Sequence, residues 1–405
     1  MFKISVIFFQ IIFCNFAIAK IPKFNIPIIL ARSNIHDSFN LPPLSYLNNA
    51  SPVINNLGEI AFKVLSVGSL GQEALWIKAR EDEKGKILFV ADEDKALTDP
   101  SINSDGIISF SIFDEIGSDG IYILDPHKLT HTHLLKSESI DLQFFTYPTI
   151  DDKNNIYFRG TNNNNDRMFY KFDGQLQSIL SEGKEIQGLF GSYLFRPIIN
   201  QSGKIAFKMR LGNKGSWDES NPDLIALYNP NAIANKIEII AKDKDFDPTS
   251  HFASFLNQVS LSNNDHIAFC ALTDDGRIGV FLYQNGKTQR LALENEGDIL
   301  NVETFSVKVN SLGHVAFRGK DKEGKNAIFF VDTEKSIEIK KIIRAGDEIP
   351  TDIGTGKILD NPHYPGFLGE IDLNDNDQIV FGAVLQNAND SKEIGEGIYL
   401  INPIK

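Results

Sequence analysis

Cysteine is nearly absent: 405 residues hold two, with three methionines and two tryptophans. Cys14 sits in a segment we expect to be removed, which leaves Cys270 alone and rules out an intramolecular disulfide framework. Long apolar runs are also missing after residue 16, so no later segment reads as a membrane span. Basic charge is in short supply, with 40 Lys+Arg against 53 Asp+Glu and a net charge of −13. That deficit argues against nucleic acid and against an anionic membrane surface as partners. No G-x-S-x-G, H-E-x-x-H, phosphate-binding loop or dinucleotide fingerprint is present in a suitable context. Hydrophobic residues at 42% and charged residues at 23% are ordinary globular values, which exclude wholesale disorder.

The chain begins with an export signal. Lys3 is followed by an apolar stretch from Ile4 to Phe16, and Ala17-Ile18-Ala19 has the small-x-small pattern of a cleavage site. We therefore expect residues 1–19 to be a signal peptide, residues 20–405 to form one domain, and the protein to be periplasmic or secreted. Without the leader the charge becomes 39 − 53 = −14. Cys270 follows Phe269 on an expected strand and reads as a buried, inert thiol. A monomer is expected.

What the sequence does contain is a repeat. A small polar residue is followed three positions later by Gly, Asn or Asp, then by Ile or Val, and finally by Phe. The seven copies end at Phe62, Phe110, Phe158, Phe207, Phe269, Phe317 and Phe381, spaced 48, 48, 49, 62, 48 and 64 residues apart. Asn or Asp heading a turn with Gly three later suits a tight turn. The alternation Ile60, Phe62, Val64 then puts one face inward at period two. Each unit reads as four strands, with third strands such as Gly120–Leu124 and Gly397–Ile401. Seven third strands are followed by only six fourth strands. The missing one stands at the other end, where 25–35 resembles 340–349. An N-terminal strand that completes the last blade is the closure of a β-propeller. The fold class is therefore all-β, a seven-bladed propeller of four-stranded blades.

The units resemble the bacterial tandem repeats described as NxxGxxAF, carried literally by Asn200–Phe207 and Asn310–Phe317. They are more distantly similar to the WD40-like repeats of TolB-type propellers. The first group often carries a C-terminal membrane anchor, which this chain does not show. The resemblance implies a propeller fold and export, and brings no catalytic residues with it.

Topology places four lengthened segments (212–222, 243–257, 345–368 and 385–396) on the ring face opposite the tight turns. The candidate partner-binding residues there are Trp217, Asp218, His363, Tyr364 and Phe367. Asp243, Asp245 and Asp247 alternate in a way that could offer oxygens to calcium, the single cofactor suggested. However, Pro248 and Ser254 stand where a calcium-binding loop of the EF-hand type has Gly and Glu. His131 and His133 share a strand face without a third ligand. His266 and His314 occupy a position so varied among the copies that it reads as solvated. On the inner strands Arg196, Lys308, Glu370 and Asp372 are the few charged residues. Their scarcity favours a non-catalytic scaffold for a protein, peptide or glycan over the alternative, an exported hydrolase, lactonase or lyase with its site at the tunnel mouth.

Overall fold

A computed structural model describes residues 23–404, apart from 69–70, 81, 83, 138–139, 141, 214–215, 217, 219, 234, 334–336 and 391. The expected leader lies outside the described residues. Among the described residues no helix is long and apolar enough to cross a membrane.

The repeat's turn is built by its first side chain. Asn310 Oδ1 accepts the N–H groups of Leu312 and His314 at 3.1 and 3.0 Å, and Gly313 takes a φ of 84°. This Asx turn reverses the chain without β-ladder bonds. It joins Ile299–Val309 to Val315–Asp321, and Asn326–Asp332 and Glu338–Arg344 follow in antiparallel order. Seven such sheets make a seven-bladed β-propeller, as expected from the repeat.

In most blades the repeat phenylalanine stacks across its own blade on the facing aromatic of the third strand. Phe62 stacks on Trp76 at 4.6 Å, Phe110 on Tyr122 at 5.6 Å, Phe317 on Phe329 at 5.2 Å and Phe381 on Tyr399 at 5.6 Å. The buried apolar residues fall into seven clusters, one at each junction between adjacent blades. The core is therefore a ring of interfaces rather than a single centre. Cys270 is buried in one of them, and burial pushes its thiol up to about 12. It is a small hydrophobe there, not a nucleophile.

Ring closure follows the expected route. Ile28–Ser33 pairs antiparallel with Glu393–Ile401, Ile29 facing Tyr399 and Arg32 facing Gly397. The buried Arg32 adds a second tie. Its Nε and Nη2 donate to the two Asp352 carboxylate oxygens at 2.7 and 2.9 Å. Asp352 lies in the long 345–368 segment. Much of that segment is an ordered hairpin, Glu348–Thr351 with Gly354–Ile358, whose second strand pairs with Ile379–Asn387.

The turn residues also bond to one another around the ring. Asn55 Nδ2 donates to the Asn103 carbonyl at 3.0 Å, and Asn103 Nδ2 to that of Asp151 at 3.1 Å. Asn200 reaches Ser262 at 3.1 Å, Asn310 reaches Asn374 at 3.1 Å, and Asn374 returns to Asn55 at 2.9 Å. The two steps headed by Asp151 and Ser262 lack an amide donor. They are bridged nearby, by the Asp152 N–H donating to Gln201 Oε1 and Asn264 Nδ2 donating to the Ser311 carbonyl. Aspartate can make the turn but cannot donate to the next blade. Asn374→Asp should therefore keep its turn, lose the bond to Asn55 and place a carboxylate against a carbonyl oxygen. We expect a loss of about 1–3 kcal/mol at neutral pH. The loss should shrink as pH falls below about 4 and the new carboxyl takes up a proton. Thermal unfolding against pH checks both parts.

Candidate functional site

The innermost strand of each blade slips out of register just before the turn. In blade 4 the pairing jumps from Leu194↔Met209 to Ile198↔Ala206. In blade 7 it jumps from Leu368↔Gly382 to Asp372↔Val380, and in blade 5 from Phe255↔Ala271 to Val259↔Phe269. The extra residues always lie on the inner strand, as in a β-bulge that re-aims side chains. The position four before each turn residue falls in this slip. Around the ring it holds Ser51, Asp99, Tyr147, Arg196, Gln258, Ser306 and Glu370. In blades 1 to 4 a proline follows: Pro52, Pro100, Pro148 and Pro197. Proline suits the slip because it has no N–H to leave unpaired.

The slipped backbone leaves carbonyls without ladder partners, and cations of the preceding blade bond to them. Lys63 Nζ donates to the Leu97 carbonyl at 3.0 Å and Arg159 Nη1 to that of Leu194 at 3.0 Å. Lys208 Nζ reaches Phe255 at 2.6 Å, and Arg318 Nη1 reaches Leu368 at 3.1 Å. Each of these cations immediately follows its repeat phenylalanine.

These elements enclose a water-accessible cavity of about 600 Å³ on the ring axis. Lys63, Asp99, Tyr147, Arg196, Lys308 and Asp372 line it. Ile54, Ile102 and Val309 also wall a smaller space bounded by the turn asparagines. Across the channel, Arg196 of blade 4 meets Glu370 of blade 7 at 3.0 Å, and Lys308 of blade 6 meets it at 3.2 Å. Gln258 donates to the same carboxylate. Burial alone would raise the Glu370 carboxyl, but the charges of Arg196 and Lys308 and these hydrogen bonds hold it at about 2.

Two other channel carboxyls go the opposite way. Asp99 is open to the cavity yet ringed by protein, and that desolvation raises it, with Lys63 and Arg196 offsetting only part. Asp372 is raised by burial, with Lys308 only partly offsetting it. Its Oδ2 accepts the Ile54 N–H at 3.0 Å. Tyr147 stands beside Asp99 in the ring with a φ of 57°, a strained conformation for an aromatic residue. Its ring lies under the guanidinium of Arg196 at 4.9 Å and that of Arg159 at 5.5 Å.

The sequence-predicted site residues are not gathered in this way. Trp217 lies outside the described residues. Asp218 is exposed and accepts the N–H and hydroxyl of Ser220. His363 and Tyr364 lie on one exposed loop, Tyr364 at 64% exposure. Phe367 is buried against Phe381 and belongs to the blade 7 core, so it is not available to a partner. Asp243 is turned inward, its oxygens accepting the Asp223 and Phe246 N–H groups at 2.6 and 2.9 Å. Asp245 is exposed, and Asp247 accepts from Thr249. These three carboxylates therefore do not converge on a cation. His314 is not solvated either. It is buried, with Nδ1 2.9 Å from Asp377 and its ring edge-on to Phe330. Arg196, Lys308, Glu370 and Asp372 do converge, joined by Asp99, Tyr147 and Lys63, which sequence reasoning passed over.

A family profile matches residues 131–402, and its description is a family of unknown function, DUF7453. The chain belongs to the DUF7453 family. No curated protein matches it. Among solved structures, an oligogalacturonate lyase in complex with manganese shares the fold at TM-score 0.56 and 9% identity, over 95% of this chain and 98% of that one. An oligogalacturonate lyase from Vibrio parahaemolyticus gives 0.51 and 10%, over 92% and 91%. The polysaccharide lyase Uly1 gives 0.52 and 8%, over 95% and 100%. At these identities the likeness is one of fold, consistent with a TolB-like propeller. The manganese of the first does not carry over to this DUF7453 chain. No three His, Cys, Asp or Glu among the described residues are placed to hold a metal, and the channel's Glu370 is already neutralised by Arg196 and Lys308.

Glu370 also gives a stability prediction. Its folded pKa lies below its ordinary value of 4.5, so its ionic bonds stabilise the fold above that value and are lost as pH falls toward 2. Glu370→Gln should cost up to about 3 kcal/mol at neutral pH. It should also flatten the acid limb of unfolding between those two pH values, a change followed by acid titration of the folded signal.

Proposed function

We propose that the protein is an exported glycan-cleaving enzyme whose chemistry takes place in the channel. We also keep, as part of this proposal, the likeness of its repeats to exported tandem-repeat proteins. One observation carries the reading: two carboxyls whose proton affinity is raised by desolvation, Asp99 and Asp372, face the same cavity beside a fixed anion, Glu370, and three cations. Carboxyl groups whose surroundings pull their proton affinities apart are the equipment of acid/base cleavage. The glycan enzymes that share this fold support the reading in outline.

In this proposal Asp99 is the general acid. It gives its proton to the glycosidic oxygen as the bond from that oxygen to the anomeric carbon breaks. A water adds at the carbon and loses its proton to the carboxylate of Asp372, which acts in its ionised form and is held by the Ile54 N–H through its other oxygen. Glu370 stays ionised and fixes Arg196 and Lys308 in place. Lys63 tempers the Asp99 carboxyl while tied to the Leu97 carbonyl. Tyr147 lines the cavity and presents its ring edge and hydroxyl to a sugar.

The test is turnover of a panel of neutral and acidic oligosaccharides, followed by reducing-end release. Asp99→Asn should lower kcat by about 100-fold or more. The wild-type rate should fall as pH rises through the raised pKa of Asp99, because the donor is lost. The same shift sets a stability sign. The folded state holds this proton more tightly than the unfolded chain, so ionised Asp99 works against the fold above its ordinary pKa of 3.8. Asp99→Asn should therefore melt at or above the wild-type temperature at neutral pH. A variant that kept its turnover, or a panel in which nothing was cleaved, would sink the assignment.

A further inference from the structure

Between blades 3 and 4, five side chains stack in an alternating column that ends at the cavity. Arg167 lies over the Tyr193 ring at 4.4 Å. Arg159 lies over Tyr193 at 5.9 Å and over Tyr147 at 5.5 Å. Arg196 lies over Tyr147 at 4.9 Å. Arg167 opens the third strand of blade 3, just after the loop at 162–166, on the face opposite the asparagine turns. Tyr147 and Arg196 line the cavity itself. The column thus runs from the outer rim to the proposed reaction site. None of its members is fully buried.

The charge balance along the column favours an anion. Arg167 faces Glu182 at 3.5 Å, and Arg196 faces Glu370 at 3.0 Å. Arg159 faces no carboxylate among the described residues, and its guanidinium bonds the Leu194 carbonyl and the Thr146 hydroxyl. The Arg196 Nε is buried and has no hydrogen-bond partner. Burial raises the Glu182 carboxyl, weakening the one anion at the outer end. A column with spare guanidinium donors between aromatic faces is therefore set in a protein whose overall charge is −13. Guanidinium forks pair with carboxylates in the plane, while the tyrosine faces they stack on hold the guanidinium groups in line. A polyphosphate chain would need a wider excess of positive charge than this.

We infer that Arg167, Tyr193, Arg159, Tyr147 and Arg196 form a subsite track for a carboxylate-bearing oligosaccharide, a uronic-acid chain, leading it into the channel. This rests on the proposed glycan cleavage and names its substrate class. Tyr147 is the hinge of the arrangement, because its strained backbone presents the ring to both Arg159 and Arg196.

Binding is measured by calorimetry on the full-length Asp99→Asn protein, so that recognition is read apart from turnover. The probes are tetrasaccharides of galacturonate, glucuronate and mannuronate, each beside its neutral hexose counterpart. At least one acidic chain should bind 10-fold or more tightly than its neutral partner, with the preference falling as salt is raised. Arg167→Gln and Tyr147→Ala, each added to Asp99→Asn, should each remove most of that preference. Arg159→Gln is less suitable, since Arg159 also ties blade 3 to blade 4. Equal affinity for acidic and neutral chains, or an acidic preference untouched by both variants, would overturn the track even if Asp99 proved catalytic. Acidic chains that bind at the track but are never cleaved by the wild type would overturn the enzymatic reading and leave the track standing.

Discussion

The ring depends on a side-chain amide that does two jobs. An asparagine carbonyl oxygen folds its own turn by accepting two backbone N–H groups, while its amide nitrogen donates to the turn of the next blade. Only asparagine combines both at this length of side chain. Aspartate lacks the donor, and glutamine would reach past the turn. The step from Asn374 to Asn55 closes the loop between blades 7 and 1, the junction also closed by Ile28–Ser33. Two independent closures therefore act on one seam. Arg32, bonded to Asp352, adds a third contact between the N-terminal strand and the last blade.

A second constraint follows from geometry. Seven inner strands converge on an axis, and each slips by one or more residues before its turn. The slip sacrifices ladder hydrogen bonds, and unpaired carbonyls in an enclosed space are costly. The cation after each of four repeat phenylalanines offsets that cost by donating to a slipped carbonyl. What the slip provides is a ring of side chains aimed at the axis. Most positions of the repeat are constrained by turn, core or carbonyl. This one is not, and its occupants differ from blade to blade: Asp99, Tyr147, Arg196, Gln258, Glu370.

That contrast explains what could be read in advance. The repeat was legible because turn, strand and stacking demand the same residue types seven times over. The closure was legible from a missing strand. The channel column was harder to see for the opposite reason, since a position that varies from copy to copy looks unconstrained. Aligning the copies on Asn55, Asn103 and their equivalents and counting four back would have exposed it, because nearly every occupant is polar on an otherwise apolar strand. The lengthened 345–368 segment looked like a binding loop. Much of it is instead a hairpin whose Ile349 and Ile358 are buried, with Phe367 beyond it in the core. His314 looked solvated because its counterparts vary, yet here Asp377 and Phe330 enclose it.

The cations complicate any division between scaffold and site. Lys63 holds the Leu97 carbonyl and also tempers Asp99. Arg159 holds the Leu194 carbonyl and also lies over Tyr147 and Tyr193. Removing either disturbs the ring and the channel together, so a loss of function at these positions would say little about chemistry. Asp99 and Tyr147 are different. Neither side chain bonds a slipped carbonyl, and the electrostatics of Asp99 and the backbone strain of Tyr147 both work against the fold. Residues that cost stability and face an open cavity are where a fold's interests and a function's interests part. In the lengthened loops, by contrast, Asp218 and Asp247 cap their own turns. On that physical ground the channel, rather than the lengthened loops, is where this propeller departs from what folding alone requires.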